Sequence, residues 1–443
     1  MRDYTINRTF ARNITRTRAR NKESDEKMER IILHSDLNNF YASAEAARNP
    51  ALRGIPLAVA GDVEARHGII LAKSYEAKRH GVSTGEPLWQ AKMKCPDITF
   101  VPPDYELYTR LSHKVREIYL SYTDRVEPFG MDECWLDVTG STRLFCDGAE
   151  GVAEAGTIIA NEIRERVKRE TGLTVSVGVS FNKTYAKLAS DMKKPDAVTV
   201  ITLDNYRDKV WTLPVEDLLY VGRKTQKRLN LYGIKTIGQL ACADTELLQH
   251  LLGKNGLSLR RAAAGLDFGQ VTTPDEAPQV KSVGNGTTTP RDLYSDDEIK
   301  TVLYSLCESV SSRLREQRLL CKTVTVGIRD SELFSFERQG QLASPDRTAK
   351  AIFDKAFELT RRHRPFGKGI RSLSVRASSL TDDSRAQISL FPEDDAPCCR
   401  EVLEGVIDSL RIRYGGGAVR RGIMLADPSL GGMSEKIGEY APF

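Results

Sequence analysis

The sequence predicts a multidomain α+β protein, and three observations support this prediction. Its 443 residues are enough for about three domains, each with its own core. Short apolar strands alternate with amphipathic helices up to about residue 203. An all-helical stretch follows, and a second alternation of strands and helices begins beyond the Pro-rich, acidic segment 271–280. We therefore expect two α+β regions with a helical region between them.

Composition argues against a membrane protein and against a disulfide scaffold. No apolar run approaches the ~18 residues of a transmembrane helix, and the N-terminus lacks the apolar core of a secretory signal. The eight cysteines are scattered without a CxxC pair, which favours reduced thiols over disulfides or a zinc site. We therefore expect a cytoplasmic protein with no membrane partner.

Charge is concentrated at the N-terminus. The net charge is only +5, but residues 1–22 carry seven Arg and Lys residues against one acid, Asp3. We interpret residues 1–28 as a basic, solvated, disordered tail, and a nonspecific phosphate-binding arm is the alternative.

The first α+β region begins with an apolar strand that turns directly into a helix, in IILHSDLNNFYASAEAA. HGIILAKSYEAKRHGV repeats this pattern, and Gly81 is a plausible helix stop. The remaining predicted elements are a helix over 104–124, strands around 125–130 and 134–140, a helix over 155–172 and a buried strand over 173–180. In the second region we expect strands at 281–289, 322–329, 335–342 and 371–379, with helices at 295–317 and 347–363.

Two adjacent acids, Asp132 and Glu133, interrupt the apolar pattern of FGMDECWLDVTG. Because unpaired buried charge is costly, a solvated turn is the ordinary interpretation of this motif alone. Asp36, however, leaves another apolar strand, and three carboxylates at the ends of neighbouring strands predict a cation site. Oxygen ligands without a nearby His or Cys cluster favour Mg²⁺. The corresponding chemistry is two-metal phosphoryl or nucleotidyl transfer.

Phosphate-binding residues are predicted in SFNKTYAKLASDMKKP, residues 180–195. This segment follows a buried strand, so the N–H groups at the start of its helix are free to face a phosphate. Lys183, Lys187 and Lys194 are spaced to form one basic stripe, although an ordinary exposed lysine face is the alternative. A second candidate set is Tyr75, Lys78 and Arg79.

Four motifs together resemble the Y-family translesion DNA polymerases, of the DNA polymerase IV type: DLNNFYASAE, SYEAKRHGV, MDECWLDVTG and SFNKTYAKLASDMKKP. The resemblance covers roughly residues 30–380. It implies a right-hand polymerase with a ferredoxin-like palm, small fingers, a helical thumb and an α+β little finger. The implied ranges are the basic tail 1–28, the first palm strand 29–40, fingers 41–104, palm 105–195, thumb 196–270, linker 271–280, little finger 281–381 and a C-terminal tail 382–443.

The same resemblance implies roles for single residues. Asp36 and Asp132 would bind two Mg²⁺ ions, and Glu133 would be the third catalytic carboxylate. Tyr41 would be the aromatic gate beneath the incoming sugar. The residues that would hold the nucleotide and its triphosphate are Phe40, Tyr41, Tyr75, Lys78 and Lys183.

Three positions depart from the family pattern. Asn38 stands where a second acid often occurs, and Ala72 stands where a threonine often reaches the phosphates. Lys78 replaces an arginine, which exchanges bidentate phosphate geometry for a point charge. None of these removes a core carboxylate, so activity is still expected.

Candidate DNA contacts lie in the helical region and in the second α+β region. LLYVGRKTQKRLNLYGIKTIGQL resembles a helix–hairpin–helix, in which a glycine-bearing turn exposes N–H groups to a phosphate. Tyr220 replaces the usual first glycine, so Gly222 alone is expected to provide the open turn, and a plain helix–turn–helix packing unit is the alternative. KSVGNGTTTPRDL resembles the start of the little finger. The candidate backbone contacts there are Lys281, Arg291 and Arg371.

The segment QISLFPEDD, residues 387–395, resembles the bacterial sliding-clamp-binding peptide, although a chance match is the alternative. Its anchors would be Gln387, Leu390 and Phe391, so the implied partner is a bacterial sliding clamp that binds residues 387–391.

The function implied is that of a monomeric, template-directed DNA polymerase performing translesion synthesis on primer–template DNA. It would join dNTPs to the primer 3′-hydroxyl with low fidelity and without a proofreading exonuclease. One alternative is a catalytically silent, DNA-binding accessory protein with a polymerase fold, but such a protein should have lost some of the three acids. The other is a nucleotide cyclase, which would have no use for template-holding regions.

Overall fold

The computed structural model describes residues 30–62, 66, 68–146, 151–276, 279–364, 367–383 and 396–431. Its strands are β1 (Ile32–Leu37), β2 (Leu57–Ala60), β3 (Ile70–Lys73), β4 (Thr99–Val101), β5 (Val126–Pro128), β6 (Glu133–Asp137), β7 (Val175–Ser180), β8 (Val198–Val200), β9 (Ser282–Leu293), β10 (Leu319–Asp330), β11 (Ser335–Asp346) and β12 (Ile370–Asp382).

Its helices are α1 (Phe40–Arg48), α2 (Tyr75–Arg79), α3 (Leu88–Lys94), α4 (Tyr105–Leu120), α5 (Thr142–Phe145), α6 (Val152–Thr171), α7 (Lys183–Met192), α8 (Tyr206–Val210), α9 (Arg223–Leu231), α10 (Ile237–Cys242), α11 (Thr245–Leu252), α12 (Lys254–Ala263), α13 (Asp296–Glu316), α14 (Ala349–His363), α15 (Ala396–Tyr414), α16 (Gly422–Leu425) and α17 (Pro428–Gly431). Short 3₁₀ turns lie at Pro50–Leu52, Thr139–Ser141, Val215–Asp217 and Pro274–Glu276. The strands and helices predicted from the sequence are thereby confirmed, within one to four residues at most ends.

The chain divides into two compact units. The first comprises residues 1–53 and 106–277, and the second comprises residues 54–105 and 278–443. The ranges predicted for palm, fingers, thumb and little finger stay predictions, because these units are defined by internal contacts and not by a role toward DNA.

The first unit is organised around a five-stranded sheet in the order β5-β6-β1-β7-β8. Strand β1 lies in the middle, antiparallel to both β6 and β7, and all six of its residues are buried. Helix α6 packs against Val179, whereas α7 packs against the neighbouring Gly178. Because successive residues of a strand face opposite sides, the two helices cover opposite faces of the sheet.

The helical region of the first unit shares a core with α7. Tyr185 and Leu188 of α7 pack in one cluster with side chains of α8 to α12, including Leu229, Leu240 and Leu259. The predicted linker also begins inside this unit, since Val271 is fully buried in a cluster with Ile32, Trp135 and Ala186.

The second unit contains two sheets. The smaller has the order β3-β2-β4 and the larger the order β11-β10-β12-β9. Helices α13 and α14 pack on the larger sheet and on each other, in a core that includes Leu306, Val326 and Val375. The segment predicted as a C-terminal tail is partly folded: α15 packs on α13, and Arg315 of α13 binds Glu404 of α15 at 2.5 Å.

In the part of the chain that the structure describes, no helix combines the length and apolarity needed to cross a membrane.

The contact between α7 and the sheet depends on the absence of a side chain at Gly178. A Cβ atom there would lie 2.0 Å from the Ala186 carbonyl oxygen and 2.5 Å from the Ser190 nitrogen, both backbone atoms of α7. Only glycine therefore allows this close approach, and α7 carries Lys187, one of the two lysines that face the carboxylates described below.

We predict that Gly178→Ala lowers the free energy of unfolding by at least ~2 kcal/mol, because overpacking must push α7 off the sheet. Thermal unfolding measures the effect. Gly140→Ala is the matched control, since a Cβ there meets no atom within 4 Å, and it should unfold with the parent. Equal unfolding temperatures for both variants and the parent would contradict this account of the helix–sheet contact.

Candidate active site

Asp36 and Glu133 lie directly opposite each other on β1 and β6. Opposed residues of antiparallel strands place their side chains on the same face, with Cβ atoms about 5 Å apart. Asp132 immediately precedes β6, and its carbonyl accepts a hydrogen bond of 2.9 Å from the Leu37 N–H. The structure thus brings the three predicted carboxylates together at one end of the sheet.

Two lysines face these carboxylates. The Lys187 ammonium lies 2.7 Å from Glu133 Oε1 and 3.5 Å from Asp36 Oδ2. The Lys194 ammonium lies 2.7 Å from the same Asp36 oxygen. Each lysine also contacts Asp191, at 3.3 and 2.9 Å respectively. The site is therefore a compact cluster of opposite charges.

The predicted lysine stripe along one helix is wrong for Lys194, because α7 ends at Met192. Lys194 instead reaches Asp36 from the turn that follows the helix.

Lys183, for which the resemblance implies a triphosphate contact, has a different partner in this structure. It forms an ion pair with Glu127 and lies 4.5 Å from the centroid of the Trp135 ring. Sequence spacing identified the three lysines but could not rank them.

Burial and nearby charges together shift the pKa of each carboxylate. Burial raises the pKa of Asp36 even though Lys194 works against it. Burial also raises the pKa of Asp132, and the nearby negative charge of Glu133 adds to this effect. For Glu133, burial is outweighed by contacts with His34 and Lys187, which hold its pKa below the ordinary value. Burying three carboxylates together is unfavourable unless cations neutralise them.

A buried histidine, His34, contacts Glu133, and it was not identified from the sequence. Its side chain is fully buried, and its Nε2 atom lies 3.4 Å from Glu133 Oε2. Its Nδ1 atom lies 2.8 Å from Ser190 Oγ, which itself donates to the Lys187 carbonyl. Alternation along β1 could have revealed that His34 shares a face with Asp36.

A divalent cation fits the donor set of this cluster. All three acids offer oxygen ligands of the kind that Mg²⁺ prefers, and Glu133 Oε2 is buried without a hydrogen-bond partner of good geometry. Within the described ranges, no group of three or more His, Cys, Asp or Glu side chains is arranged to hold a metal ion. Mg²⁺ commonly uses only one or two carboxylates and completes its shell with water and substrate phosphates. The residues therefore suit a metal that arrives with a phosphate ligand.

Tyr41 is held firmly beside the carboxylate-bearing turn. Its ring stacks on Tyr108 of α4 at a centroid distance of 4.2 Å and an angle of 9°. Its hydroxyl donates to Met131 Sδ at 3.4 Å. Phe40 is buried and packs against both tyrosine rings. Tyr41 thus presents a rigid aromatic surface beside Met131, which directly precedes Asp132 in the sequence.

The other predicted nucleotide contacts belong to the second unit. Tyr75 and Lys78 lie on α2, where the Lys78 ammonium is 5.8 Å from the centroid of the Tyr75 ring. The Ser74 side chain caps this helix by accepting from the Ala77 N–H. Ala72 pairs with Val59 in the neighbouring β3–β2 ladder. Their roles toward a nucleotide stay predictions.

The expectation for the turn of the helix–hairpin–helix was wrong in one respect. Tyr220 itself adopts the left-handed conformation, with φ of 70°, that the usual glycine favours. Gly222 is the N-cap of α9 and has an ordinary extended backbone with φ of −79°. The unusual conformation therefore belongs to Tyr220, whose ring is largely exposed.

The remaining predicted DNA contacts differ in their exposure to solvent and in their ion pairs. Lys281 is exposed and Arg371 is half-buried. Arg291 is exposed but forms ion pairs with Glu298 and with Asp427, the latter at 2.6 Å. The predicted clamp anchors Gln387, Leu390 and Phe391 lie outside the described residues, as does the basic N-terminal tail.

Comparison with known proteins covers both α+β regions. Residues 35–191 match the impB/mucB/samB family, and residues 280–390 match the C-terminal domain of that family. The DNA polymerase IV of Acetivibrio thermocellus is 49% identical over 404 residues, which cover 91% of this chain and 99% of that protein. DNA polymerase IV 1 of Bacillus subtilis is 36% identical over 400 residues, covering 89% of this chain and 93% of that protein.

Among solved structures, a chimeric Y-family DNA polymerase superposes with a TM-score of 0.70 at 23% identity, covering 80% of this chain and 99% of the chimera. This likeness confirms the predicted fold class. The family matches and the identity to the curated relatives place the chain: the protein belongs to the Y-family of DNA polymerases and is similar to DNA polymerase IV.

Proposed function

We propose that the three carboxylates of the site catalyse two-metal nucleotidyl transfer from a dNTP to a primer 3′-hydroxyl. By its family the protein is a DNA-directed DNA polymerase of the translesion type, and it binds primer–template DNA and dNTPs. The observation that supports the proposed site is the opposition of Asp36 and Glu133 across β1 and β6, with Asp132 beside them. Low fidelity, the lack of proofreading, a monomeric state and a cytoplasmic location stay predictions.

A Y-family polymerase requires a divalent metal, and we propose two Mg²⁺ ions held by Asp36, Asp132 and Glu133. When bound, such ions lower the pKa of the 3′-hydroxyl and neutralise the triphosphate. The protein contributes a buried carboxylate cluster, with His34 in contact with Glu133 and with Lys187 and Lys194 beside it. These contacts hold the carboxylates close together, and the shell of a metal would be completed by substrate phosphates and water.

Lys194 is better placed than Lys183 to meet the triphosphate. Its ammonium group lies against Asp36, so a phosphate bound next to that carboxylate would be within its reach. Lys183 is engaged by Glu127, which also accepts from the Thr272 N–H at 2.9 Å. We therefore assign the triphosphate contact to Lys194, with Lys187 adding positive charge.

Primer extension on matched templates with and without one abasic site, in the presence of Mg²⁺, tests the proposed activity. The expected result is extension of both templates, with nucleotide inserted opposite and beyond the abasic site. Extension that stops one nucleotide before the lesion would contradict translesion synthesis.

We predict that Asp132→Asn or Glu133→Gln lowers single-turnover incorporation about a thousandfold, because each removes a carboxylate proposed to hold the Mg²⁺ ions that neutralise the triphosphate. DNA affinity should change little, since it depends on phosphate contacts elsewhere. Rapid-quench extension and equilibrium DNA binding measure the two effects. Asp124→Asn, an exposed acid outside the site, should behave like the parent. Near-parental incorporation by either site variant would exclude the assignment.

Tyr41 should exclude ribonucleotides, because a rigid ring beneath the sugar leaves no room for a 2′-hydroxyl. We predict that Tyr41→Ala raises the relative kcat/KM for ribonucleotides by roughly one to two orders of magnitude, with much less change for deoxynucleotides. Tyr41→Phe keeps the ring and loses the hydroxyl contact with Met131, so it should keep the discrimination. Identical discrimination by Tyr41→Ala and the parent would place the gate elsewhere.

A sliding clamp should lengthen the products of this polymerase. Phosphate contacts alone are sequence-blind and sensitive to salt, whereas a clamp around DNA holds the enzyme at high effective concentration. Apolar anchors typically contribute ~2 kcal/mol or more each to a small interface. The double variant Leu390→Ala/Phe391→Ala should therefore lose clamp-dependent long products and keep clamp-free extension. Asp395→Asn serves as the control, and full stimulation of the double variant would identify the motif as a chance match.

A further inference from the structure

Asn38 stands where the family pattern often has a second acid, and its buried amide links three segments of the first unit. The residue is 2% exposed. Its Nδ2 atom donates to Ser176 Oγ at 2.9 Å, and its Oδ1 atom accepts from Thr174 Oγ1 at 3.1 Å. The same Oδ1 atom accepts from the Asp196 N–H at 2.9 Å. The side chain therefore binds the start of β7 and also the turn that follows α7.

The turn that follows α7 carries Lys194 and needs external support. Helix α7 ends at Met192, so the helical hydrogen-bond ladder does not fix the backbone of Lys194. Asp196 has φ of 54°, a left-handed conformation that costs a non-glycine residue about 1 kcal/mol or more. Such strain persists only where the surroundings hold it.

Two sets of contacts hold Asp196. Its carboxylate binds Arg164 at 2.7 Å and Lys168 at 2.9 Å, both on α6. Its N–H group donates to Asn38. The contact with Asn38 is the one that ties the turn to the strand bearing Asp36.

We infer that Asn38 is a positioning residue for Lys194. By holding the 194–196 turn next to the end of β1, it keeps the Lys194 ammonium 2.7 Å from Asp36, where it meets the triphosphate of the incoming nucleotide. This inference rests on the role proposed above for Lys194. Asn38 itself touches neither the nucleotide nor the reacting atoms.

Asparagine suits this position because its amide both accepts and donates. An aspartate could still accept from Thr174 and from the Asp196 N–H, but it could not donate to Ser176. It would also add a negative charge two residues from Asp36, in a cluster that already buries three carboxylates. The departure from the family pattern therefore keeps the contact to the turn and avoids the additional charge.

The inference is tested by equilibrium dNTP binding to the enzyme on a primer ended by a dideoxynucleotide, with Mg²⁺ present and no turnover. Asn38→Leu should raise the nucleotide Kd about five- to tenfold, the factor that corresponds to one buried hydrogen bond. Lys194→Ala should raise it at least as much. The double variant should bind no more weakly than Lys194→Ala alone, because Asn38 acts through that lysine.

Two further variants separate positioning from general stability. Ser176→Ala removes the acceptor of the Asn38 Nδ2 group and leaves the contact between Asn38 and the Asp196 N–H. It should therefore lower the thermal unfolding temperature and keep the nucleotide Kd within about twofold of the parent. Asn38→Asp keeps the acceptor for the Asp196 N–H but adds one negative charge, so it should raise the Kd less than Asn38→Leu does. If Asn38→Leu does not fold, Asn38→Ser carries the same comparison, because its shorter side chain cannot span to the turn.

The outcomes distinguish the two proposals. If Lys194→Ala leaves the Kd unchanged, the triphosphate role of Lys194 fails and the inference fails with it. If Lys194→Ala weakens binding but Asn38→Leu does not, the inference alone fails. Equal weakening by Asn38→Leu with and without Lys194, or equal weakening by Ser176→Ala, would also overturn it, because Asn38 would then act through the sheet.

Discussion

The register between β1 and β6 is the constraint on which the candidate site depends. It sets Asp36 opposite Glu133, and the turn before β6 adds Asp132. Since a slip of one residue would turn every side chain of a strand to the other face, the apolar residues of β1 that fill the core also fix the position of its acid. The unfavourable concentration of negative charge is thus held in place by hydrophobic burial elsewhere in the same strand.

Helix α7 supplies part of the compensation for this charge. Gly178 lets its backbone approach the sheet, so that Lys187 reaches Glu133 and Ser190 binds His34. Lys194 comes from the turn beyond the helix and needs separate support from Asn38 and α6. The charge balance of the site is therefore shared between a rigid helix and a turn held by hydrogen bonds and ion pairs.

Much of the fold and the core of the site could be predicted from the sequence, because both follow from local patterns. Apolar runs ending in Asp36 and around Asp132 and Glu133 identify strands and carboxylates together. The errors have a different physical origin. Helical spacing assigned Lys194 to α7, but the end of a helix depends on capping and tertiary contacts. Tyr220 was excluded from the open turn because glycine usually takes that conformation, whereas packing can impose it on another residue. Alternation along β1 places His34 on the face of Asp36, but its contact with Glu133 joins two strands and follows only from their register.

Lys187 and Lys194 have two alternative kinds of anionic partner, the carboxylates of the site and a phosphate. In this structure their ammonium groups bind carboxylate oxygens that a divalent cation would also use. A triphosphate offers the same ammonium groups a second anionic partner, and charge-assisted contacts to phosphate are strong. If the lysines turned toward phosphate, the carboxylates would be free to bind a cation, and the charge of the cation would in turn favour binding of the phosphates. We therefore expect nucleotide and metal to bind with positive coupling, because each relieves the charge that the other leaves uncompensated.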